Sequence, residues 1–585
     1  AMTVDPGPRS HEDTYRALLE RVFRDLGPEA RAVLNLGSIL GSRMNDLRMY
    51  QLVDLSLGQA MAGLARLMDL RLLRDAGRKL EFRNEVIRAY AYLNVPSPLR
   101  RELHGSIADR LLAAEEAGEW VPGLELAWHC LRAGRPEQAK AFLLRGARES
   151  IQDGAPYAAE RALESAAGLL IGTERTDAAL IIAQAQVEQG SFSQAIRTLS
   201  NTELCWAGHR EEIRHTLFAL ASALAGSPED ELQRMLSALW TIMTSTDSEV
   251  ARTNAAYSAS IILQRLRKRE LAARFLERIL AEPAQNLDLS AHTRWLLAKA
   301  RLADLAGCKA GLQCMSQELA DALSVFEARG VQNALTDLLH TYIGCIQLGR
   351  GNYADASTHF RAALSAATHV GNDAAIARCQ VNLAITAARL GNYSEASQLA
   401  LRALETSKAR SDIPRLVQTT YLAAWSNALA GNDSHALQLV QCEMPPLDGA
   451  NPQWLIQAAD LWTADVHYTL GRRKYALALA AESLDRHQLK LLSDAQAGVF
   501  ARWLVLTALN GSPRRRADIS EVLGDLCSRL AEFDLIDQAE ILSSAVCWHS
   551  REGSPAQSHL DRLNDCLAQL PQPVLGQLRH LGVLP

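Results

Sequence analysis

Gly391-Asn392-Tyr393-Ser394-Glu395-Ala396 decides the fold, because the chain repeats it. It stands 40 residues earlier as Gly351-Asn352-Tyr353-Ala354-Asp355-Ala356 and 40 residues later as Gly431-Asn432-Asp433-Ser434-His435-Ala436. Gly471-Arg472-Arg473-Lys474-Tyr475-Ala476 follows at the same interval, and Gly511 falls on the same ruler. A fixed period in this range is the signature of a helical solenoid, whose helix pairs cannot bury their apolar faces alone. In one unit, a first helix over 373–390 carries Ile376, Cys379, Leu383, Ala384 and Ala387 on one face. Gly391 closes it, since a helix end commonly needs a left-handed residue. A second helix carries Ala396, Leu399, Ala400, Ala403 and Leu404. The alanine recurring as Ala356, Ala396, Ala436 and Ala476 marks the closest approach of the two helices. A larger side chain there would overpack, at roughly 1–3 kcal/mol per site.

The chain of 585 residues is too long for one core, so several domains or a long array are expected. Aromatic residues are only 5%, which favours tightly packed, small-residue helices over sheets. The net charge of −5 supplies no global field for nucleic acid or an acidic membrane. Ten cysteines are scattered without a C-x-x-C, and most lie in apolar helical runs, which reads as buried, reduced thiols in a cytoplasmic protein without a metal site. No signal peptide and no run of about 18 apolar residues is present, so no membrane partner is expected. The opening Ala1-Met2 and the abrupt start read as a fragment of a larger protein.

Ahead of the ruled glycines the pattern is irregular. Tyr15, Leu18, Leu19, Val22 and Phe23 recur at helical spacing, and Gly27-Pro28 breaks that helix and opens the next. Further helices are expected near 46–53 and over 57–70. Then the period changes: residues 71–74 and 79–83, joined by a turn at Asp75-Ala76-Gly77-Arg78, read as a hairpin. Helices follow over 84–93 and 98–114. Helices followed by a two-stranded wing describe a winged helix. The expected organisation is a disordered tail over 1–13, a winged-helix domain over 14–95, irregular helical repeats over 96–330, and regular tetratricopeptide-like repeats of about 40 residues over 331–585. The fold class is all-α: a tetratricopeptide-like superhelix preceded by a small winged-helix domain.

Three segments of the front end carry a resemblance: Leu26-Gly27-Pro28-Glu29-Ala30-Arg31, Gly63-Leu64-Ala65-Arg66-Leu67-Met68-Asp69-Leu70, and Leu80-Glu81-Phe82-Arg83-Asn84-Glu85-Val86-Ile87. With Leu99-Arg100-Arg101-Glu102-Leu103-His104, they look like the winged-helix region that follows the ATPase core in signal-transduction ATPases of the STAND class. The bacterial LuxR-type large ATP-binding regulators, including those like the maltose regulon activator, belong to that class. The resemblance extends over the whole chain and implies an order of ATPase core, winged helix, repeat sensor and output domain. This sequence departs from it in three places. It has no G-x-x-x-x-G-K-[ST], so no cofactor is expected in the chain, and ATP or ADP would act only through a missing ATPase domain. Asn84 stands where the family often has a phosphate-touching His; an amide donates a hydrogen bond but carries no charge. No output domain follows the tail at 575–585.

The resemblance implies a concave face lined by the first helix of each pair. Aligned on the glycines, Arg378, Tyr421, Trp425, Asp465 and Tyr468 fall on positions that could face inward and form a ligand groove, whereas Trp462 and Trp503 read as core. His340 and His467 read as hydrogen-bonded packing residues. The presumed recognition helix at 57–70 offers only Arg66, and residues 1–115 hold 17 basic against 15 acidic residues, which argues against direct DNA binding. No H-E-x-x-H or G-x-S-x-G is present, so the chain is read as non-catalytic. The expected function is the sensor arm of a STAND-type regulator, binding a small-molecule inducer or protein partner and controlling the ATPase core and a transcriptional output. The alternative is a stand-alone tetratricopeptide scaffold for protein–protein interaction.

Overall fold

A computed structural model describes residues 19–580 except 78, 282–286, 307–308, 410–412, 448–452, 487–496, 511–515 and 553–555. The tail expected at 1–13, Tyr15, Leu18 and Gly511 lie outside these residues. The chain forms two compact units, one of residues 1–149 and 161–174, the other of residues 150–160 and 175–585.

The first unit opens with α1 (Pro28–Leu40) and α2 (Leu57–Asp69), joined by 3-10 turns over Gly41–Asn45 and Leu47–Val53. A capping box starts α2: Ser56 Oγ accepts from the Gln59 amide, and the Gln59 side chain accepts from the Ser56 amide at 3.0 Å. The hairpin is present, with β1 (Leu73–Asp75) antiparallel to β2 (Leu80–Phe82) and Arg74 opposite Glu81. Asp75 turns it by accepting from the Gly77 amide at 2.7 Å. Asn45 pins the second strand, accepting from the Leu80 amide at 2.7 Å and donating to its carbonyl at 3.1 Å. Then come α3 (Glu85–Asn94), α4 (Ser97–Glu116), α5 (Gly123–Arg132) and α6 (Pro136–Gln152), whose end from residue 150 on belongs to the second unit. Asn84 is the N-cap of α3, its side chain accepting from the Ile87 amide at 2.9 Å. The outer face of α2 is apolar rather than basic: Leu57, Met61 and Met68 are exposed beside Arg66.

His104 on α4 and His129 on α5 are both 1% exposed, with Nδ1 atoms 3.0 Å apart. His104 Nε2 also meets the Tyr92 hydroxyl at 3.1 Å. One shared proton satisfies this chain; a second leaves two donors facing each other. Burial, then Arg132 and Arg100, hold His104 down to about 4; burial, then His104 and Arg43, hold His129 down to about 3.

The second unit is built of helix pairs. Helix α7 (Pro156–Ser165) precedes α8 (Gly172–Glu188) and α9 (Phe192–Leu199). Pairs follow as α10 (His209–Ala225) with α11 (Glu229–Ser245), α12 (Glu249–Leu266) with α13 (Arg269–Ala281), and α14 (Leu289–Leu305) with α15 (Lys309–Ala328). The regular region comprises α16 (Ala334–Gly349) with α17 (Tyr353–Val370), α18 (Asp373–Arg389) with α19 (Tyr393–Lys408), α20 (Ile413–Leu429) with α21 (Asp433–Gln438), and α22 (Gln453–Thr469) with α23 (Arg473–Arg486). It ends in α24 (Ala497–Leu509), α25 (Arg516–Ser528), α26 (Leu535–Glu552), α27 (Gln557–Ala568) and α28 (Gln572–His580). Gly351, Gly391, Gly431 and Gly471 have φ of +79°, +82°, +81° and +74°, the left-handed closure their spacing implied. Ala356, Ala396, Ala436 and Ala476 are fully buried between the paired helices. Trp462 and Trp503 are buried in the core, as read. Not every thiol is: Cys130, Cys379, Cys527 and Cys566 are buried, but Cys205, in the connection between α9 and α10, and Cys345, Cys442 and Cys547 are exposed. Cys308 lies outside the described residues. Among them no helix is long and apolar enough to cross a membrane.

Successive coils of this array touch. Asn333 caps α16 through Oδ1, which accepts from the Leu335 and Thr336 amides at 3.0 Å, and its Nδ2 donates to the Gln152 carbonyl at 2.7 Å, 181 residues away. Asn372 repeats the device. It caps α18 by accepting from the Ala375 amide at 3.1 Å, and donates to the Glu188 carbonyl at 2.8 Å, a separation of 184. Gln577 on α28 donates to the Ala388 carbonyl, 189 residues back, and accepts from Arg389 Nη1 at 3.0 Å. Gly154, at φ +85°, admits the first of these contacts: a Cβ there would lie 1.9 Å from the Gln332 carbonyl oxygen.

Two predictions follow from these contacts. Asn372→Asp keeps the cap but loses the donor and sets a carboxylate against the carboxyl end of α8, so it should lower stability by about 1–3 kcal/mol in urea unfolding. Asn372→Asp as stable as the parent would mean that the coil contact contributes nothing. For the histidine pair, folded values below the ordinary 6.5 mean that the unfolded chain takes up protons first. Its contribution is therefore complete above about pH 6.5 and lost as pH falls toward 4 and then 3. Unfolding at pH 7.5 and 5.0 should show a larger loss in the parent than in His104→Gln; equal losses would dismiss the pair as the cause.

Candidate functional site

The first helix of each pair from α8 to α18 presents side chains to one cavity of about 690 Å³ within the second unit. Its lining includes the apolar side chains of Phe192, Ile213, Leu217, Leu220 and Ile261. It also includes Tyr257, Arg301, Asp337, Tyr342 and Arg378, with Asn254 and Asn382. An amphipathic helix pointing its small or apolar face at its pair partner leaves its polar flank for this inner surface.

Of the residues singled out in the sequence, Arg378 lines this cavity. It forms an ion pair with Asp337 at 2.5 Å, and Asp337 itself is 2% exposed. Burial opposes the charge of Arg378, but the Asp337 carboxylate outweighs it and raises the guanidinium above its ordinary value. Asp337 also accepts from Thr341 Oγ1 and Cys379 Sγ, each at 3.4 Å. Burial, followed by Asp337, pushes the Cys379 thiol up to about 12. Glu188, with Arg294 at 3.8 Å, is raised by burial.

Tyr421, Trp425, Asp465 and Tyr468 are not among the cavity's lining residues. Tyr421 stacks on Trp462 with centroids 5.0 Å apart and planes at 9°, and on Trp425 at 6.4 Å. Trp425 is 6% exposed, with the Arg389 guanidinium 5.8 Å from its ring. Tyr468 meets Trp503 edge to face at 5.8 Å. Asp465 accepts from Arg502 Nη2 at 2.6 Å and from Trp503 Nε1 at 2.8 Å. Glu540 stands 3.8 Å from Arg502 and is raised by burial, which Arg502 opposes. The Tyr421 hydroxyl is raised by burial and then by Asp465. The groove drawn from the glycine alignment is thus divided. Arg378 faces open space, while the other four belong to an aromatic and ionic network closed on itself by α24 and α26. His340 and His467 are held by rings: His340 Nδ1 lies 3.2 Å from His359 Nδ1, and His467 meets Tyr475 edge to face.

Sequence reading missed Tyr257, Arg301 and Tyr342, which lie ahead of the regular ruler or on its first unit. A signal for Arg301 does exist. Gly307, aligned with Gly351 at a spacing of 44, sets Arg301 in the register of Trp425 and Asp465.

Asp465→Asn keeps an acceptor for Trp503 but strips the nearest counter-charge from a guanidinium that is 2% exposed. Removing one partner of a buried ion pair typically costs about 3–5 kcal/mol, and denaturant unfolding should find a loss of that order. A loss under about 0.5 kcal/mol would show that Glu540 alone neutralises Arg502.

A tetratricopeptide repeat profile matches residues 336–409, which contain α17, α18, α19 and most of α16. No curated protein matches the chain. Among solved structures, a STAND protein with a tetratricopeptide repeat sensor from Pyrococcus horikoshii aligns at 17% identity over 85% of this chain and 68% of that one, with a TM-score of 0.37. A Rap protein complexed with competence and sporulation factor aligns at 12% identity over 68% of this chain and 99% of that one, at 0.42. The Cut9–Hcn1 hetero-tetramer of the APC/C aligns at 15% identity over 85% and 96%, at 0.40. Scores this low leave the assignment of helical repeats to the repeat match and to the helix pairs themselves.

Proposed function

We propose that the chain is the non-catalytic sensor arm of a STAND-type regulator, which binds a small-molecule inducer or a protein partner on the inner face of its repeats and so controls an ATPase core and its output. The observation that carries the reading is the cavity of about 690 Å³. Its walls come from six consecutive first helices, so one occupant would touch elements far apart in sequence and stiffen them against one another. Contacts between successive coils at Gln152–Asn333 and Glu188–Asn372 border the same region, which offers a route from occupancy to the curvature of the array. The wing-bearing unit ahead of the repeats supports the STAND assignment through the sequence resemblance. Its exposed apolar α2 face suits a protein surface better than a phosphate backbone.

A thermal-shift screen of polar metabolites and short peptides tests the reading. A true occupant should slow hydrogen exchange in α12, α14, α16 and α18, and Asn254→Trp, which fills the cavity, should weaken it at least tenfold. Protection confined to other helices would refute an inner-face site. A sensor also predicts that the occupant changes the rate of ATP hydrolysis by an ATPase core joined to this chain. Binding with no such change would identify a scaffold.

A further inference from the structure

The polar lining of the cavity holds an electrostatic imbalance. Arg301 is 6% exposed and lines the cavity. A guanidinium stays protonated at any working pH, so this is a buried positive charge. Its neighbours are two aromatic faces, Tyr257 on α12 and Tyr342 on α16, each with its ring centroid 5.4 Å from the guanidinium carbon. Nη1 donates to Ser260 Oγ at 3.1 Å, and the buried Nε has no partner. Among the described residues no carboxylate pairs with Arg301. The half-buried Arg378 on the same cavity has Asp337, and the buried Arg502 has Asp465 and Glu540. Two ring faces and one hydroxyl do not replace water around a cation as an anion does, since burying an unpaired charge is far costlier than cation–π contacts return.

We propose that Arg301 is the seat for a compact anion, a carboxylate or phosphate, carried by an amphiphilic organic ligand whose apolar body lies along Phe192, Ile213, Leu217, Leu220 and Ile261. The proposal rests on the inner-face reading above and adds the ligand's chemistry. The planar guanidinium held between Tyr257 and Tyr342 presents its charge to one anion at the cavity wall. Burial holds the Tyr342 hydroxyl protonated, its value pushed up to about 12 despite Arg301, so the ring remains neutral beside the charge. The apolar lining of the cavity would gain by covering hydrocarbon rather than water.

Calorimetry with octanoate, octyl phosphate and octanol, on the whole chain, tests this. At least one of the two anions should bind ten or more times tighter than octanol, and which of them does so identifies the head group. Arg301→Met should reduce that anion to the affinity of octanol while leaving octanol unchanged. Should Arg301→Met not fold, Arg301→Gln, which retains a donor for Ser260, serves in its place. Equal binding of all three ligands, lost together in Asn254→Trp, would overturn the anion seat and leave the inner-face site standing. Equal binding that survives Asn254→Trp would overturn both. Failure of both anions to bind at 10 mM, or undiminished anion binding in the Arg301 variant, also overturns the proposal.

Discussion

Contacts between coils about one superhelical turn apart govern the second unit. A helical pair array can open or tighten freely unless something fixes one coil against the next. Here the fixing groups are side-chain amides. Asn333 and Asn372 each use the oxygen to cap their own helix and the nitrogen to reach the last carbonyls of α6 and α8. A helix leaves its first N–H groups and its last C=O groups without internal partners. One asparagine therefore satisfies an orphan at the start of one helix and an orphan at the end of another. Neither aspartate nor serine can do both through one planar group, because aspartate has no donor and serine has a single oxygen.

The consequences differ along the array. Around α8 to α18 the coils enclose open space, and polar side chains on the first helices remain at its edge. From α20 onward the inner column closes on itself: Tyr421, Trp462 and Trp425 stack, and Asp465, Arg502 and Glu540 form a buried ionic row across α22, α24 and α26. The last helix, α28, completes this closure through Gln577, which bonds to the end of α18. Charges inside the closed part must compensate one another, because no solvent reaches them.

What was legible in the sequence was local. The glycine ruler, the recurring alanines and the hairpin at 71–83 each depend on neighbours within one repeat or one turn, and those features stand in the structure. The register of Arg378 was also legible, because a 40-residue alignment carries one inner-face position to the next. The fate of that register was not. Nothing within 40 residues of Trp425 reveals that the next helices will cover it, and the bonds between coils join residues 181 to 189 apart. Asn84 illustrates the same limit from the other side. Its place after the wing suggested a weakened phosphate contact, whereas the structure gives its side chain a cap to make, at the first turn of α3.

Arg301 and Asp465 occupy corresponding positions once the 44-residue step between Gly307 and Gly351 is allowed for. Asp465 meets Arg502 from the following first helix, so its charge is answered within the protein. Arg301 meets Tyr342 from its following first helix and Tyr257 from the preceding one, and neither carries charge. Stability alone does not favour that arrangement, since a hydrophobic residue of similar size between two tyrosine rings would avoid burying a cation. A charge that stability disfavours, placed at the wall of a cavity with no counter-ion among the described residues, is the arrangement expected of a site completed by a partner from outside the chain.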